Sequence, residues 1–200
     1  MSLISTLPDV GLPNGIYSPA NSHGLLLLAD STNAVIWRIS TTTGAHSIAI
    51  SDPLFKVPTN ASIGLGVNGI KTSLVDDKLW FTNPASGIIG EIAITPNGTA
   101  LGPARVLANV PIADDFATSA GELPLFAVGD NTLWRVDGES ARVVAGGAED
   151  LTLEGATAAA LGRTFADQGV LYISTDGGLS APVGGVMTGG KILAVNVAGR

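Results

Sequence analysis

Three polar side chains stand at matching places in the sequence, each just before a short apolar segment. They are Asn14 and Asn68, each followed by a glycine, and Asp114, which is followed by Asp115. Amide and carboxylate oxygens are the ligands that hard cations such as calcium prefer, and amide N–H groups can hydrogen-bond a substrate carbonyl. The alternative is that the two asparagines only supply the turn geometry typical of Asn-Gly sequences. At the level of residues both interpretations stay open.

The neighbouring carboxylates Asp114 and Asp115 offer acid–base chemistry. A buried carboxylate there could have a raised pKa and act as a general acid or base. Adjacent residues of a strand face opposite sides, so only one of the two should point inwards. We predict Asp114 as the catalytic carboxylate and place Asp115 among the substrate-binding candidates.

Other familiar catalytic patterns are absent or lack their context. The glycines of residues 64–69 match a dinucleotide-binding pattern, but a Pro-rich loop precedes them and a strand follows, where the mechanism needs a strand and then a helix. His23 and His46 have no triad context and are interpreted as surface residues. The chain has no Cys, which excludes thiolate nucleophiles, Cys-bound zinc and disulfides.

The elements that must position these side chains repeat along the chain. Four apolar runs end at residues 30, 83, 129 and 175, and turn residues separate them from the segments before and after. A second apolar run follows each of them, and a third follows the first three. The predicted strands are Leu25–Asp30, Val35–Ile39, His46–Ile50, Leu79–Asn83, Ile89–Ile94, Arg105–Ala108, Leu125–Gly129, Thr132–Val136, Arg142–Ala145, Leu171–Thr175 and Ile192–Val197.

Short strands in this fourfold order are typical of the blades of a β-propeller. We therefore predict an all-β fold, a single propeller domain over residues 1–200 with blades of about 7–50, 51–108, 109–147 and 148–200. The fourth blade has only three predicted strands, while Ser2–Ser5 reads as a strand without a blade. That strand could close the ring, two chains could form a homodimer or complete each other, or the chain could be part of a larger propeller.

In a propeller the starts of the innermost strands converge on one end of the central channel, so Asn14, Asn68 and Asp114 are expected to meet there. Thr157, from the last lead segment, and Trp80 are further predicted substrate contacts. The loop Asp176–Gly190 is long enough to lie over the channel mouth. Such a channel suits a mostly apolar small molecule that carries a few oxygens.

Composition excludes several classes of partner. Ten Lys and Arg against 17 Asp and Glu give a net charge of −7, and the positive residues are scattered singly. Nucleic acid and an anionic membrane surface are therefore not expected as partners. The longest apolar run is far too short to span a bilayer, and the N-terminus does not have the pattern of a signal peptide. Two sequons, at Asn60 and Asn97, leave a secretory origin open.

The order and spacing of the lead segments resemble those of the senescence marker protein/gluconolactonase-like propellers. The closer likeness is to their fungal branch, which includes hetero-Diels–Alderase-type propellers. The segments that carry the resemblance are Leu12–Ile16, Asp30, Val67–Ile70, Ala113–Phe116 and, near the C-terminus, Thr175–Val183. Members usually have six blades, and we expect this chain to lack the first ones.

The resemblance implies three alternative functions. The first is a cofactor-independent cyclisation of hetero-Diels–Alder type in fungal specialised metabolism, with Asn14 and Asn68 hydrogen-bonded to the substrate. The second is a metal-dependent lactonase, in which Asn68 and Asp114 match the family's ligands to one divalent cation, calcium or zinc; the family's first-blade Glu has no counterpart here. The third is a non-catalytic binding or assembly module. The first is preferred, and no cofactor is expected for it.

Overall fold

The computed structural model describes residues 1–119 and 122–198, whose strands form four antiparallel sheets. In each sheet the neighbouring strands are consecutive in the sequence, so each sheet is an up-and-down meander. The strands of the first two sheets are β1 Pro13–Tyr17, β2 Leu25–Asp30, β3 Val35–Ser40, β4 His46–Ser51, β5 Ile70–Thr72, β6 Lys78–Asn83, β7 Ile88–Ala93 and β8 Arg105–Asn109. Those of the last two are β9 Asp115–Ser119, β10 Glu122–Gly129, β11 Thr132–Asp137, β12 Ser140–Gly146, β13 Ala156–Leu161, β14 Val170–Thr175 and β15 Lys191–Asn196.

These four meanders are propeller blades, and the all-β, four-bladed prediction is confirmed. The first three sheets have four strands, and the fourth has three within the described part of the chain. Two single 3₁₀ turns, Pro53–Phe55 and Val183–Gly185, are the helical elements there. None of the described residues belongs to a helix with the length and apolarity needed to cross a membrane.

The prediction of a strand at Ser2–Ser5 is wrong. This segment has no strand pairing, and it is held by a side-chain contact instead: the Ser5 hydroxyl donates to the Gly44 carbonyl at 2.7 Å. The Ile4 carbonyl lies so close to Gly44 that a Cβ there would be 2.4 Å from the oxygen.

The chain divides into two compact units, residues 1–107 and 108–200. The boundary falls within β8 and close to the predicted limit between the second and third blades. In the first unit, Phe55 and Phe81 are fully buried and meet edge to face at 4.8 Å between ring centroids. Gly90 leaves the space for this packing, since a Cβ there would lie 2.3 Å from the Phe81 ring. The core of the second unit includes the buried side chains of Phe126, Val128, Leu133, Leu171 and Ile173.

Candidate functional site

In every blade the start of the first strand, the end of the second and the start of the third lie at the same end of the sheet, because the strands are antiparallel. We call this the site end of a blade. In the first blade Pro13 pairs with Asp30 there. All the polar residues predicted at strand starts therefore lie at the site ends of their own blades.

Asn14 lies at the site end of the first blade and is exposed. The pairing of β1 with β2 shifts register between Pro13 and Ile16, so Asn14 and Gly15 together face a single residue of β2. This is a β-bulge, a device that re-aims side chains and is common beside active sites. The Asn14 amide nitrogen donates to the Ser31 hydroxyl at 3.3 Å.

The first unit brings the lead segments of its two blades together. The Gly15 N–H donates to the Asn68 carbonyl at 3.2 Å, and a Cβ on Gly15 would lie 2.4 Å from that oxygen. Glycine is therefore required next to Asn14 by this close approach. The lead segments that contain Asn14 and Asn68 thus contact each other through the backbone of Gly15 and Asn68, and a shared role of the two asparagine side chains stays a prediction.

Asn68 differs from Asn14 in its burial, although both belong to Asn-Gly pairs. Only 1% of Asn68 is exposed. Its N–H donates to the Thr82 carbonyl at 2.9 Å, and the N–H of Gly69 donates to the Thr82 hydroxyl at 2.8 Å. Asn68 is thus held inside the second blade by β6, and a role in catalysis or metal binding stays a prediction.

Asp114, Asp115 and Thr157 lie in the second unit, where β9 and β13 are neighbours. Both aspartates are half-buried, and the Asp114 N–H donates to the Val128 carbonyl at 2.8 Å. Thr157 is the extra residue of a register shift between Ala156 and Ala158, and its hydroxyl lies 3.2 Å from that of Ser174. The choice of Asp114 as the inward carboxylate stays a prediction.

Trp80 is buried in β6, and its indole N–H donates to a Glu91 carboxylate oxygen at 3.2 Å. The other oxygen of Glu91 pairs with Arg105 at 2.7 Å. The polar atom of this tryptophan therefore points towards the next strands of its own blade. A substrate contact by Trp80 stays a prediction.

A set of polar clamps at the site ends was not predicted from the sequence. Asp30 is fully buried and receives six hydrogen bonds, from the backbone N–H groups of Gly11, Leu12, Thr32 and Asn33, from the Asn33 amide and from the Trp37 indole. Burial alone would raise the pKa of Asp30, but the donors outweigh it and lower the pKa to about 2. The carboxylate therefore ties the chain before β1 to the turn after β2.

The corresponding turns of the next two blades use asparagine. The Asn83 amide nitrogen donates to the carbonyls of Leu54 and Lys56, both at 2.9 Å. Asn131 accepts from the Gly155 N–H at 2.8 Å through its side-chain oxygen and donates to the Ala148 carbonyl. The signal that could have revealed these clamps is an Asp or Asn at the end of the apolar second strand, as in the first two blades, or in the turn that follows it, as in the third.

The long loop Asp176–Gly190 is fastened by a residue from a lead segment that is otherwise small and nearly apolar. The buried carboxylate of Glu154 accepts from the Thr188 hydroxyl at 2.5 Å and from the Val183 N–H at 2.8 Å. These two donors, in that order, hold the pKa of Glu154 below its ordinary value. A position of this loop over a channel stays a prediction, but its attachment at the site end of the fourth blade is explained.

The described residues contain no group of three His, Cys, Asp or Glu side chains that could hold a metal ion. A cation bound by Asn68 and Asp114 stays a prediction.

No family model matches the chain. Two curated proteins do: one from Phoma sp., named "Putative hetero-Diels-Alderase", is 30% identical over 148 residues, or 70% of this chain and 41% of the relative. The other, from Sarocladium schorii and named "Putative hetero-Diels-Alderase asR5", is 30% identical over 156 residues, and the match covers 70% of this chain and 38% of the relative. Each match thus spans about two fifths of the relative's length.

Solved structures share the fold at low identity. A nidogen/laminin complex matches 96% of this chain and 62% of its own chain, with a TM-score of 0.66 and 17% identity. A gluconolactonase from Xanthomonas campestris matches 86% of this chain and 58% of its own, with a TM-score of 0.60 and 16% identity. Regucalcin, a calcium-binding protein from Agrobacterium tumefaciens, matches 81% and 52%, with a TM-score of 0.53 and 15% identity. The resemblance to gluconolactonase-like propellers and to their fungal hetero-Diels–Alderase branch is thereby confirmed.

Proposed function

We propose that the chain contributes to a cofactor-independent cyclisation of hetero-Diels–Alder type, acting on a mostly apolar substrate with few oxygens. The observation that carries the proposal is the 30% identity, over 70% of this chain, to two fungal proteins that bear this name. The gluconolactonase and regucalcin likeness supports the fold alone, since the identities are 16% and 15%.

The reaction needs neither a protein nucleophile nor a redox group. A conjugated C=C–C=O unit adds to an alkene, one C–C and one C–O bond form, and the π electrons of the reactants supply both. No group leaves and no redox partner is needed. The protein accelerates such a step by holding both reactants in contact and by donating hydrogen bonds to the oxygen where negative charge develops.

The first unit offers groups suited to that task. Asn14 is exposed at a bulge, and one of its two amide hydrogens is engaged by Ser31. Ile16, two residues on in the same strand, is 57% exposed and offers apolar contact. We propose that Asn14 binds the substrate oxygen and that Asn68, held from β6, fixes the backbone beside it.

The test is a stereochemical assay of the purified chain. An o-quinone methide, generated in solution, is mixed with a cyclic polyene, and the dihydropyran adducts are separated by chiral chromatography. We expect an excess of one enantiomer and a rate above the background reaction. Racemic product at the background rate would refute the proposal.

Paired variants link the activity to Asn14. Loss of one hydrogen bond to a developing oxyanion costs on the order of 100-fold in rate, and we expect that loss in Asn14→Ala. Asn21→Ala is the matched control, because Asn21 is also exposed and also donates one amide hydrogen bond, to the Leu74 carbonyl at 2.9 Å. Equal rates for the two variants would remove Asn14 from the mechanism.

A further inference from the structure

We propose that Ser31 is a positioning residue that fixes the orientation of the Asn14 side-chain amide, and that Asn14 thereby accepts a hydrogen bond from a hydroxyl group of the ligand. The inference deepens the proposed function and rests on it only for the identity of the ligand. The orientation of the amide follows from hydrogen bonds within the first unit.

The single hydrogen of the Ser31 hydroxyl decides which group of Asn14 faces it. Ser31 is fully buried, and its hydroxyl donates to the Val67 carbonyl at 2.8 Å. A serine hydroxyl has one hydrogen and two acceptor lone pairs, so Ser31 can face Asn14 only as an acceptor. The group of Asn14 that lies 3.3 Å from it must therefore be the NH₂ and not the carbonyl.

The backbone of Ser31 is fixed as firmly as its hydroxyl. The Ser31 N–H donates to the Leu12 carbonyl at 3.0 Å, and its own carbonyl accepts from the Gly66 N–H at 3.0 Å. Ser31 thus joins the lead segments of the first and second blades. Because the backbone of Ser31 is bonded on both sides and its hydroxyl donates to the Val67 carbonyl, the hydroxyl oxygen is a fixed acceptor for the Asn14 amide.

The consequence concerns what Asn14 offers to a ligand. With its NH₂ towards Ser31, its side-chain oxygen keeps both lone pairs and one N–H remains available. An exposed amide in this orientation matches a ligand hydroxyl that donates to the oxygen, next to an oxygen that accepts the N–H. A ligand with only ether oxygens would leave the Asn14 carbonyl unpaired when it excludes water.

The orientation is tested without any substrate. In the full chain labelled with ¹⁵N, we expect nuclear Overhauser contacts between one Asn14 Nδ2 proton and the Ser31 β protons. These contacts should disappear in Ser31→Ala, with both Asn14 amide protons exchanging faster. Ser73→Ala is the matched control, since Ser73 is also buried and its hydroxyl serves a turn at the other end of the second blade. Absence of the contacts in the unmodified protein would overturn the proposal, even if Ser31→Ala failed to fold.

The ligand class is tested with two fragments of equal shape. Phenol can donate a hydrogen bond and anisole cannot, and each is titrated while the Asn14 side-chain resonances are followed. We expect phenol to bind about tenfold more tightly than anisole, the effect of roughly one hydrogen bond, and this preference to vanish in Ser31→Ala. Equal binding of the two fragments, or binding of neither, would overturn the assignment of a hydroxyl ligand. A failed cyclisation assay with intact amide contacts and phenol preference would refute the proposed function alone.

Discussion

Replacement of Asp30 by asparagine should be among the most damaging isosteric changes in the first unit. The two side chains have the same shape, but the carboxylate accepts six hydrogen bonds and offers no donor. In Asp30→Asn an NH₂ group must face one of the two sets of N–H donors. Three donors then lose their acceptor inside a fully buried site.

The size of the loss follows from the pKa. The pKa of Asp30 is about 2, against an ordinary value of 3.8. Since one pKa unit corresponds to 1.36 kcal/mol, the charged form stabilises the folded state by about 2.5 kcal/mol more than the neutral form does. The N–H donors that face the new NH₂ group without an acceptor add to this loss of stability. We therefore expect Asp30→Asn to lower the free energy of unfolding by about 3 kcal/mol at pH 7.

The assay is urea unfolding followed by tryptophan fluorescence, to which Trp37 beside Asp30 contributes. Asp137→Asn is the matched control, because that carboxylate is 48% exposed and its ion-pair partner is Arg135 of the same strand; we expect a loss below about 0.5 kcal/mol there. A loss under 1 kcal/mol in Asp30→Asn would refute the reasoning.

The pH dependence gives a second check with a defined sign. The folded pKa lies below the unfolded one, so the contribution of Asp30 is complete above about pH 5 and is lost as the pH falls through 3.8 towards 2. The difference in stability between the unmodified protein and Asp30→Asn should therefore shrink between pH 5 and pH 2. A difference that stays constant over that range would show that the charge of the carboxylate is not the cause of the loss.

Four further outcomes are expected. In Glu154→Gln one acceptor for the loop Asp176–Gly190 is lost, and hydrogen exchange of the Val183 amide should accelerate while exchange in the first unit stays unchanged. Gly15→Ala places a methyl 2.4 Å from the Asn68 carbonyl oxygen, so the melting temperature should fall by several degrees. An unchanged melting temperature would show that the two lead segments separate without loss of stability. Asn68→Ala keeps the backbone bonds of Asn68 to Gly15 and Thr82, so cyclisation should persist with a loss of about 1 kcal/mol of stability; abolished cyclisation in a folded variant would give the Asn68 side chain a direct role. Calorimetric titration with calcium and zinc should show no site; micromolar binding at one site per chain would favour the lactonase alternative and implicate Asn68 with Asp114.

The strands of the blades could be predicted closely because each is a short apolar run bounded by turn residues. Leu25–Asp30 is predicted with the bounds that β2 has, and Leu171–Thr175 differs from β14 by one residue. The alternation of apolar and polar side chains and the preference of certain residues for turns are local properties, so a single sequence is enough to predict the strand bounds. Ser2–Ser5 is also apolar and extended in character, but whether such a segment pairs depends on the edge that it meets.

The polar contacts of the site join residues that are far apart in the chain, so these contacts cannot be predicted from local sequence patterns. Asn14 and Asn68 precede glycine in the same way, yet one is exposed and the other is buried behind β6. Glu154 stands among small residues, and its partners lie 29 and 34 positions later. The sequence identifies the strand ends that carry polar residues, while the fold determines which of those side chains bond to the backbone and which stay exposed.

The most direct test of the proposed function is the enantiomeric excess of the adduct formed from an o-quinone methide and a cyclic polyene, measured with the purified chain and with Asn14→Ala. We predict one dominant enantiomer with the unmodified chain and racemic product at about the background rate with the variant. Racemic product from both proteins would contradict the proposed cyclisation. The same excess from both would show that Asn14 has no part in it.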